Sequence, residues 1–246
     1  MLNILVCLKY CKCLSEKQIL PFSPDDLSAF AYALKYKENE KKIIVTVISM
    51  GPPIAESALR DCYCYGADKV FLITDPAYAG SDTLVTSYIL CNAIRLIFKE
   101  GLPEIILCGS KTCDSSTGQI GPGIAERLKI HFIGDCNRIN IDELCLINCD
   151  FTRNILEKPA VVIVNRQYKL PFPTLRLIHS ARNTDVKIIT NNQLNLPAAF
   201  TGIQGSPTKV IELEDTKKAI NNSSEISGSI EEKISVLKNI IMIRKA

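Results

Sequence analysis

A chain of 246 residues, 47% hydrophobic and 22% charged, can bury a sizeable core and is too apolar to be disordered. A formal net charge of +3, with no Lys/Arg-rich block interleaved with aromatics, argues against nucleic acid as a partner. No apolar run approaches the roughly 20 residues that span a bilayer. The apolar start Leu2-Asn3-Ile4-Leu5-Val6 lacks a basic lead and a small-residue cleavage site, so it reads as a strand of a soluble, cytoplasmic protein with no membrane span.

Residues 4–8 are that first strand. A helix is expected from Asp25, where Leu27, Phe30, Ala31 and Leu34 share one face, with Ser23 as its cap and Pro24 in its first turn. Residues 43–48 form a continuous apolar strand. Ala55, Ala58, Leu59 and Cys62 then mark a helix that Gly66 can end in a left-handed conformation. Residues 70–73 are the third strand. Residues 83–99 form a helix with Leu84, Tyr88, Cys91, Ile94 and Phe98 inward. Residues 104–108 are the fourth strand, and a helix beginning after Thr117 runs through Ile124 to Leu128. Strands that are apolar throughout and alternate with helices imply a parallel sheet covered on both faces.

Residues 139–149 and 160–164 read as strands that complete this sheet. Polar, irregular sequence follows from Asn183, residues 221–228 read as a linker, and Ile230, Ile234, Leu237 and Ile241 give a final amphipathic helix that needs a surface to cover it. The expected division is a nucleotide-binding α/β domain over residues 1–182 and a C-terminal arm over 183–246.

The eleven cysteines, an odd number, show no C-x-x-C spacing and no iron–sulfur run, so no metal is expected; Cys11/Cys13 is the nearest approach to a site. Cys7, Cys62, Cys91 and Cys108 sit where a small hydrophobe belongs. Neither His131 nor His179 has a companion that suggests catalysis, so no catalytic acid, base or nucleophile is assigned.

The distinctive residues follow the strands. Lys9-Tyr10 comes after the first and Ser49-Met50-Gly51-Pro52-Pro53 after the second. Residues 75–83, ending Gly80-Ser81-Asp82-Thr83, follow the third, and Gly109 to Gln119 follow the fourth. All four loops lie at the carboxyl ends of strands, the edge where open α/β sheets bind ligands. Their Gly, Ser and Thr let backbone N–H groups approach phosphate, and a helix start adds partial positive charge. A nucleotide-type ligand is expected, although both the Walker A loop and the G-x-G-x-x-G fingerprint are missing.

These loops resemble the beta subunit of electron-transferring flavoproteins. Ser23-Pro24-Asp25-Asp26-Leu27-Ser28-Ala29 is similar to the family's Asn-Pro-(aromatic)-Asp-x-x-Ala helix start. Residues 47–53, Gly66-Ala67-Asp68, Ala79-Gly80-Ser81-Asp82-Thr83 with Thr86-Ser87, and Cys108-Gly109 with Asp114, Thr117, Gln119, Gly121 and Pro122 match its loops. Pro173-Thr174-Leu175, Ala181-Arg182 and residues 201–210 match its later segments. Ser23 replaces the usual Asn, and Ser116 stands where a second Asp is usual.

The resemblance implies a doubly wound, mostly parallel sheet of the adenine nucleotide alpha hydrolase-like, Rossmann-like kind, with an arm that packs on an alpha subunit. It implies FAD, or alternatively AMP in this subunit, and a flavin-linked, acyl-CoA-type dehydrogenase as a further partner. NADH oxidation with electron bifurcation would occur only in the complex. Ser49, Met50 and Gly51 would line the adenosine end, with Asp82, Thr83 and Thr86 nearby. Leu8, Lys9, Ser23 and Gly109 would border the site, Asp114, Ser115, Ser116, Thr117, Gly118 and Gln119 would wrap phosphate, and Leu175 would dock the dehydrogenase. From the residues alone Asp82 is as readily a helix cap as a ligand contact, whereas for Asp114 ligand contact is favoured over a role as turn former. Rival readings are a stand-alone adenine-nucleotide sensor using the same four loops, an AMP-binding structural subunit without its own redox flavin, and a subunit that has lost its cofactor and only scaffolds the complex.

Overall fold

Strands with no polar face have to be covered on both sides, and the alternation of side chains along them decides which helix each one meets. The computed structural model describes residues 2–11, 21–39, 42–112, 116–136, 138–139, 146–149, 152–155, 157–164, 168–208 and 229–243. The first half runs β1 (Leu2–Cys7), α1 (Pro24–Asn39), β2 (Ile43–Met50), α2 (Ala55–Tyr65), β3 (Lys69–Ile73), α3 (Thr83–Ile97), β4 (Ile105–Gly109), α4 (Ile120–Leu128) and β5 (His131–Cys136). The second half adds β6 (Arg138–Ile139), β7 (Leu146–Cys149), β8 (Thr152–Ile155), β9 (Ala160–Val164), α5 (Leu175–Ala181), β10 (Lys187–Ile189), α6 (Asn191–Leu194), α7 (Gly202–Gly205) and α8 (Ile230–Ile243).

Seven strands form one sheet in the order β10-β3-β2-β1-β4-β9-β5, and every pairing in it is parallel. The fold is therefore α/β and doubly wound, as the alternation of apolar strands and helices implied. Ile4, Val6, Ile105, Leu107 and Val162 pack with α1 and α2 in one core layer. Their neighbours Leu5, Cys7, Ile106, Cys108 and Val161 pack with α3 and α4 in the other. Cys7, Cys62, Cys91 and Cys108 are all buried within these layers. Gly66 ends α2 at φ 110°, the left-handed conformation anticipated for it.

Several elements differ from expectation. The strands read over 139–149 do not, where described, extend the main sheet; β6, β7 and β8 form a separate antiparallel sheet of three strands. The position beside β9 is taken by β5, a strand the sequence did not announce, because its His131 and Phe132 are exposed at the sheet's edge. Residues after Asn183 are not irregular throughout: β10 pairs with β3 and closes the other edge, where an unpaired strand would expose a row of backbone groups.

One compact unit accordingly covers Met1–Lys209, past the boundary expected at residue 182, and a second covers Val210–Ala246. In the second unit α8 forms where the apolar repeat lies, and its Ile230 and Ile234 are exposed. Within α3, Leu84 points out rather than in, and Val85, Ile89 and Ala93 join Cys91 and Ile94 in the core. Among the described residues no helix is long and apolar enough to cross a membrane.

Leu72 is wholly buried on β3, between β2 and β10. Leu72→Ala should lower unfolding stability by about 2–5 kcal/mol, read from urea denaturation, and a loss well under 1 kcal/mol would contradict this packing.

Candidate functional site

Because the main sheet is parallel, the ends of β1, β2, β3 and β4 all open on one edge. The chain leaves β1 toward β2 and β3, then crosses back to place β4 on the other side of β1. Between the carboxyl ends of β1 and β4 is the switch in strand order, the place at which doubly wound folds take their ligands.

The first turn of α1 packs between the two strand ends. Lys9 N–H, just past β1, donates to Asp26 Oδ2 at 2.8 Å, and Gly109 N–H, at the end of β4, donates to Oδ1 at 3.0 Å. Lys111 N–H donates to Asp25 Oδ2 at 3.1 Å, the Ser23 hydroxyl donates to the Lys111 carbonyl at 2.8 Å, and Ser23 N–H donates to the Lys9 carbonyl at 3.2 Å. Burial pushes the Asp26 carboxyl up to about 7, against the two backbone hydrogen bonds and the Lys9 charge, which favour its ionised form. The approach is so close that a Cβ on Gly109 would overlap Asp26 Oδ1 and its backbone nitrogen.

Leu8 and Ser23 are buried, so their side chains belong to the framework: Leu8 is core, and Ser23 ties the helix to the fourth loop. At the end of β2 the Ser49 hydroxyl is buried without a hydrogen-bond partner, while Met50 is half-buried. Gly51 follows, with its Cα hydrogen facing Ala55 Cβ and Tyr10 Cβ at 3.8 and 3.9 Å from the position a side chain would take. The first and second loops therefore meet at Tyr10 and Gly51.

The third loop is fixed from two directions. Asp82 caps α3, its Oδ1 accepting from Val85 N–H at 2.9 Å. Its Oδ2 accepts from the Thr208 N–H at 3.2 Å and hydroxyl at 2.7 Å, while Asp82 N–H donates to the Ser206 hydroxyl at 2.9 Å. Burial opposes ionisation here, but these hydrogen bonds outweigh it and hold the Asp82 carboxyl below the usual carboxylate range. The cap reading of Asp82 is thus realised, with a second task that the sequence did not disclose: anchoring residues 206–208.

Thr83 and Thr117 bring the third and fourth loops together, their hydroxyl oxygens 3.3 Å apart, and Thr86 is half-buried one turn into α3. In the fourth loop Ser116 adopts φ 50° and donates its hydroxyl to the Thr112 carbonyl at 2.7 Å, and Gly118 adopts φ 64°. Asp114 and Ser115 lie outside the described residues. The helix expected to begin after Thr117 starts at Ile120, with Gln119 exposed at its cap and no acidic residue in its first turn.

Leu175 is 86% exposed at the start of α5, which Thr174 caps, and the neighbouring Phe172 is 95% exposed. His131 Nε2 lies 2.9 Å from Glu157 in an exposed pair. Cys11 is buried, its thiol donating to the Lys9 carbonyl at 3.6 Å, and Cys13 lies outside the described residues.

The residue at this edge that sequence reasoning passed over is Asp26. It stood in the quoted helix-start match but carried no role, because an acid in a helix's first turn ordinarily needs no further explanation. Two outcomes follow. Gly109→Ala should destabilise the chain by roughly 1–3 kcal/mol in urea unfolding, since the turn of α1 has nowhere to move. Asp26 keeps its proton longer folded than unfolded, so its contribution makes stability fall as pH rises from the ordinary 3.8 to about 7. Asp26→Asn should flatten that slope in denaturation measured across this window.

Comparison with known proteins agrees with this geometry. A family model described as the electron transfer flavoprotein domain matches residues 15–175. The electron transfer flavoprotein subunit beta of Thermoanaerobacterium thermosaccharolyticum is 34% identical over 230 residues, covering 85% of this chain and 86% of that protein. The subunit of the same name from Clostridium acetobutylicum is 30% identical across 94% of both chains. Protein FixA of Azotobacter vinelandii is 46% identical over 117 residues, 48% of this chain and 41% of FixA. With its sheet, its four strand-end loops and these relatives in agreement, the chain belongs to the electron transfer flavoprotein family, among the proteins like its beta subunits and FixA.

Proposed function

We propose that the chain is the nucleotide-holding beta subunit of a heterodimeric electron transfer flavoprotein and passes electrons between NADH or a flavin-linked, acyl-CoA-type dehydrogenase and an acceptor. The observation that carries the reading is the meeting of four strand-end loops at the switch in strand order, held by Asp26, Asp82 and the Thr83–Thr117 contact. The beta-subunit names of the relatives support an alpha subunit as the partner.

The residues present fit an adenine nucleotide. Ser49 offers a buried, unpartnered hydroxyl at the end of β2, which suits a ribose or base atom able to hydrogen bond. Charge divides the rest of the edge. The start of α1 carries Asp25 and Asp26, which occupy the backbone donors of Lys9, Gly109 and Lys111, so those N–H groups are not left for a phosphate. The start of α4 has no acid in its first turn and follows the left-handed Gly118, so phosphate is favoured there. Thr83, Thr117 and the backbone near Gly118 would hold the phosphate, with Ser49 and Gly51 at the adenosine end.

Bound FAD would supply the redox chemistry. The protein's share is position and field: fixed loops orient the nucleotide, and the carboxylates at α1 set where its negative end can lie. FAD is the proposed ligand of this subunit and AMP the alternative. Leu175 and Phe172, both exposed, are the proposed contact for the dehydrogenase, and the segment containing α8 is proposed to pack on the alpha subunit.

The test is to co-express the chain with its alpha subunit, denature the purified complex, and quantify released FAD and AMP by chromatography and mass. More than one FAD per heterodimer supports a flavin on this chain, and one FAD with one AMP supports the structural-nucleotide form. Failure to form a complex, with adenine nucleotide bound by the chain alone, would contradict the electron-carrier reading in favour of a stand-alone sensor.

A further inference from the structure

The first turn of α1 does more than begin a helix. Asp26 is 5% exposed, and it accepts a hydrogen bond from each of two loops that diverge from opposite sides of the strand-order switch. β1 and β4 pair through Ile4–Val6 and Ile105–Leu107; beyond those residues Ser23 ties the Lys9 and Lys111 carbonyls together, and one carboxylate, Asp26, takes the N–H of Lys9 and the N–H of Gly109. Gly109 is moulded to that carboxylate, since any side chain there would strike it.

We propose that Asp26 is a positioning residue of the nucleotide site, whose ionised carboxylate sets the separation of the first and fourth loops and thereby the affinity for the nucleotide. The inference rests on the nucleotide reading given above. Asp26 does not touch the ligand; it acts through Lys9, Gly109 and, by way of the same turn, Lys111.

Hydrogen bonds to an ionised carboxylate are shorter and stronger than those to a neutral acid. Protonation of Asp26 therefore loosens the clamp on both loops together. The charged and titratable groups around Asp26 are few. Asp25, on the same turn, disfavours its ionisation, and Lys9, on the first loop, favours it. Cys108, on β4, is a buried thiol hydrogen-bonded with Cys7 and raised well above the ordinary thiol range by that bond and by burial, so it carries no charge near neutrality. Lys111 meets the turn through its backbone. Because burial brings the Asp26 ionisation close to neutrality, a modest change in pH changes the clamp.

The sign follows. As pH rises, Asp26 ionises, the loops tighten, and affinity for the nucleotide increases. By linkage, bound nucleotide makes Asp26 easier to ionise. A purely structural Asp26 would alter stability and leave the affinity of the folded protein and its pH profile unchanged.

The test is calorimetric titration of the full chain with AMP, the portion common to FAD and AMP, from about pH 5.5 to about pH 8.5, a span that brackets the raised carboxyl. Unmutated chain and Asp26→Asn are compared at each pH as a ratio of affinities, which cancels the ionisation of the AMP phosphate near pH 6. The expected result is a ratio of roughly tenfold in favour of the unmutated chain at the alkaline end, shrinking toward one at the acid end. A ratio near one throughout, or one that stays flat or falls as pH rises, overturns the inference while leaving the nucleotide reading intact. No AMP bound by the unmutated chain at any pH overturns the nucleotide reading itself.

Should Asp26→Asn fail to fold, the claim is read in the unmutated chain by NMR. The Lys9 and Gly109 amide resonances should then titrate with a common midpoint that saturating AMP moves to lower pH. A midpoint that AMP does not move overturns the inference.

Discussion

Everything at the ligand edge depends on one buried carboxylate that receives two backbone N–H groups from opposite sides of the strand-order switch. An isolated ionised carboxylate away from water is costly, and it is tolerated only when donors are fixed around it. The Asp26 site supplies Lys9 and Gly109 N–H as those donors. The consequence runs outward: Gly109 must lack a side chain, α1 must begin where Pro24 places it, and the first and fourth loops must leave their strands at a fixed separation. A rigid floor of this kind suits the proposed role of holding a nucleotide in a fixed position.

A second anchor completes the edge from the other side. Asp82 caps α3 and holds Thr208, while Ser206 accepts from Asp82 N–H and donates to the Gly202 carbonyl at 2.7 Å. Residues distant in sequence are thereby locked to the third loop, and the Thr83–Thr117 contact carries that rigidity into the fourth. The start of α1, whose acids take the loop N–H groups, and the acid-free start of α4 give the edge a polarity, with phosphate favoured at α4.

Much of this was legible in the sequence because it depends on local pattern. Continuous apolar runs such as residues 43–48 can only be strands buried on both faces, and the four loops are marked by Gly, Ser, Thr and Pro that ordinary helices and strands avoid. What stayed hidden depends on pairing between distant segments. β10 carries only three residues and two of them, Lys187 and Ile188, are exposed, so nothing in its pattern announces that it closes the sheet beside β3. Leu84 fits the apolar repeat of α3, yet the core takes Val85, Ile89 and Ala93 of that helix instead, leaving Leu84 52% exposed. Asp26 looks like any acid favoured at a helix start, and only the three-dimensional approach of Lys9 and Gly109 makes it a clamp. The resemblance to electron-transferring flavoproteins supplied the site residues that pattern alone could not rank.

The central claim is that the carboxyl edge between the first and fourth loops is the nucleotide site. Hydrogen–deuterium exchange of the full chain with and without AMP tests it most directly. Slowed exchange is expected in residues 8–10, 49–53, 80–83, 109–111 and 116–120, the segments that meet at that edge. Slowing confined instead to the groove between α3 and α4, around Tyr88, Arg95 and Arg127, would contradict it and move the site to another part of the fold.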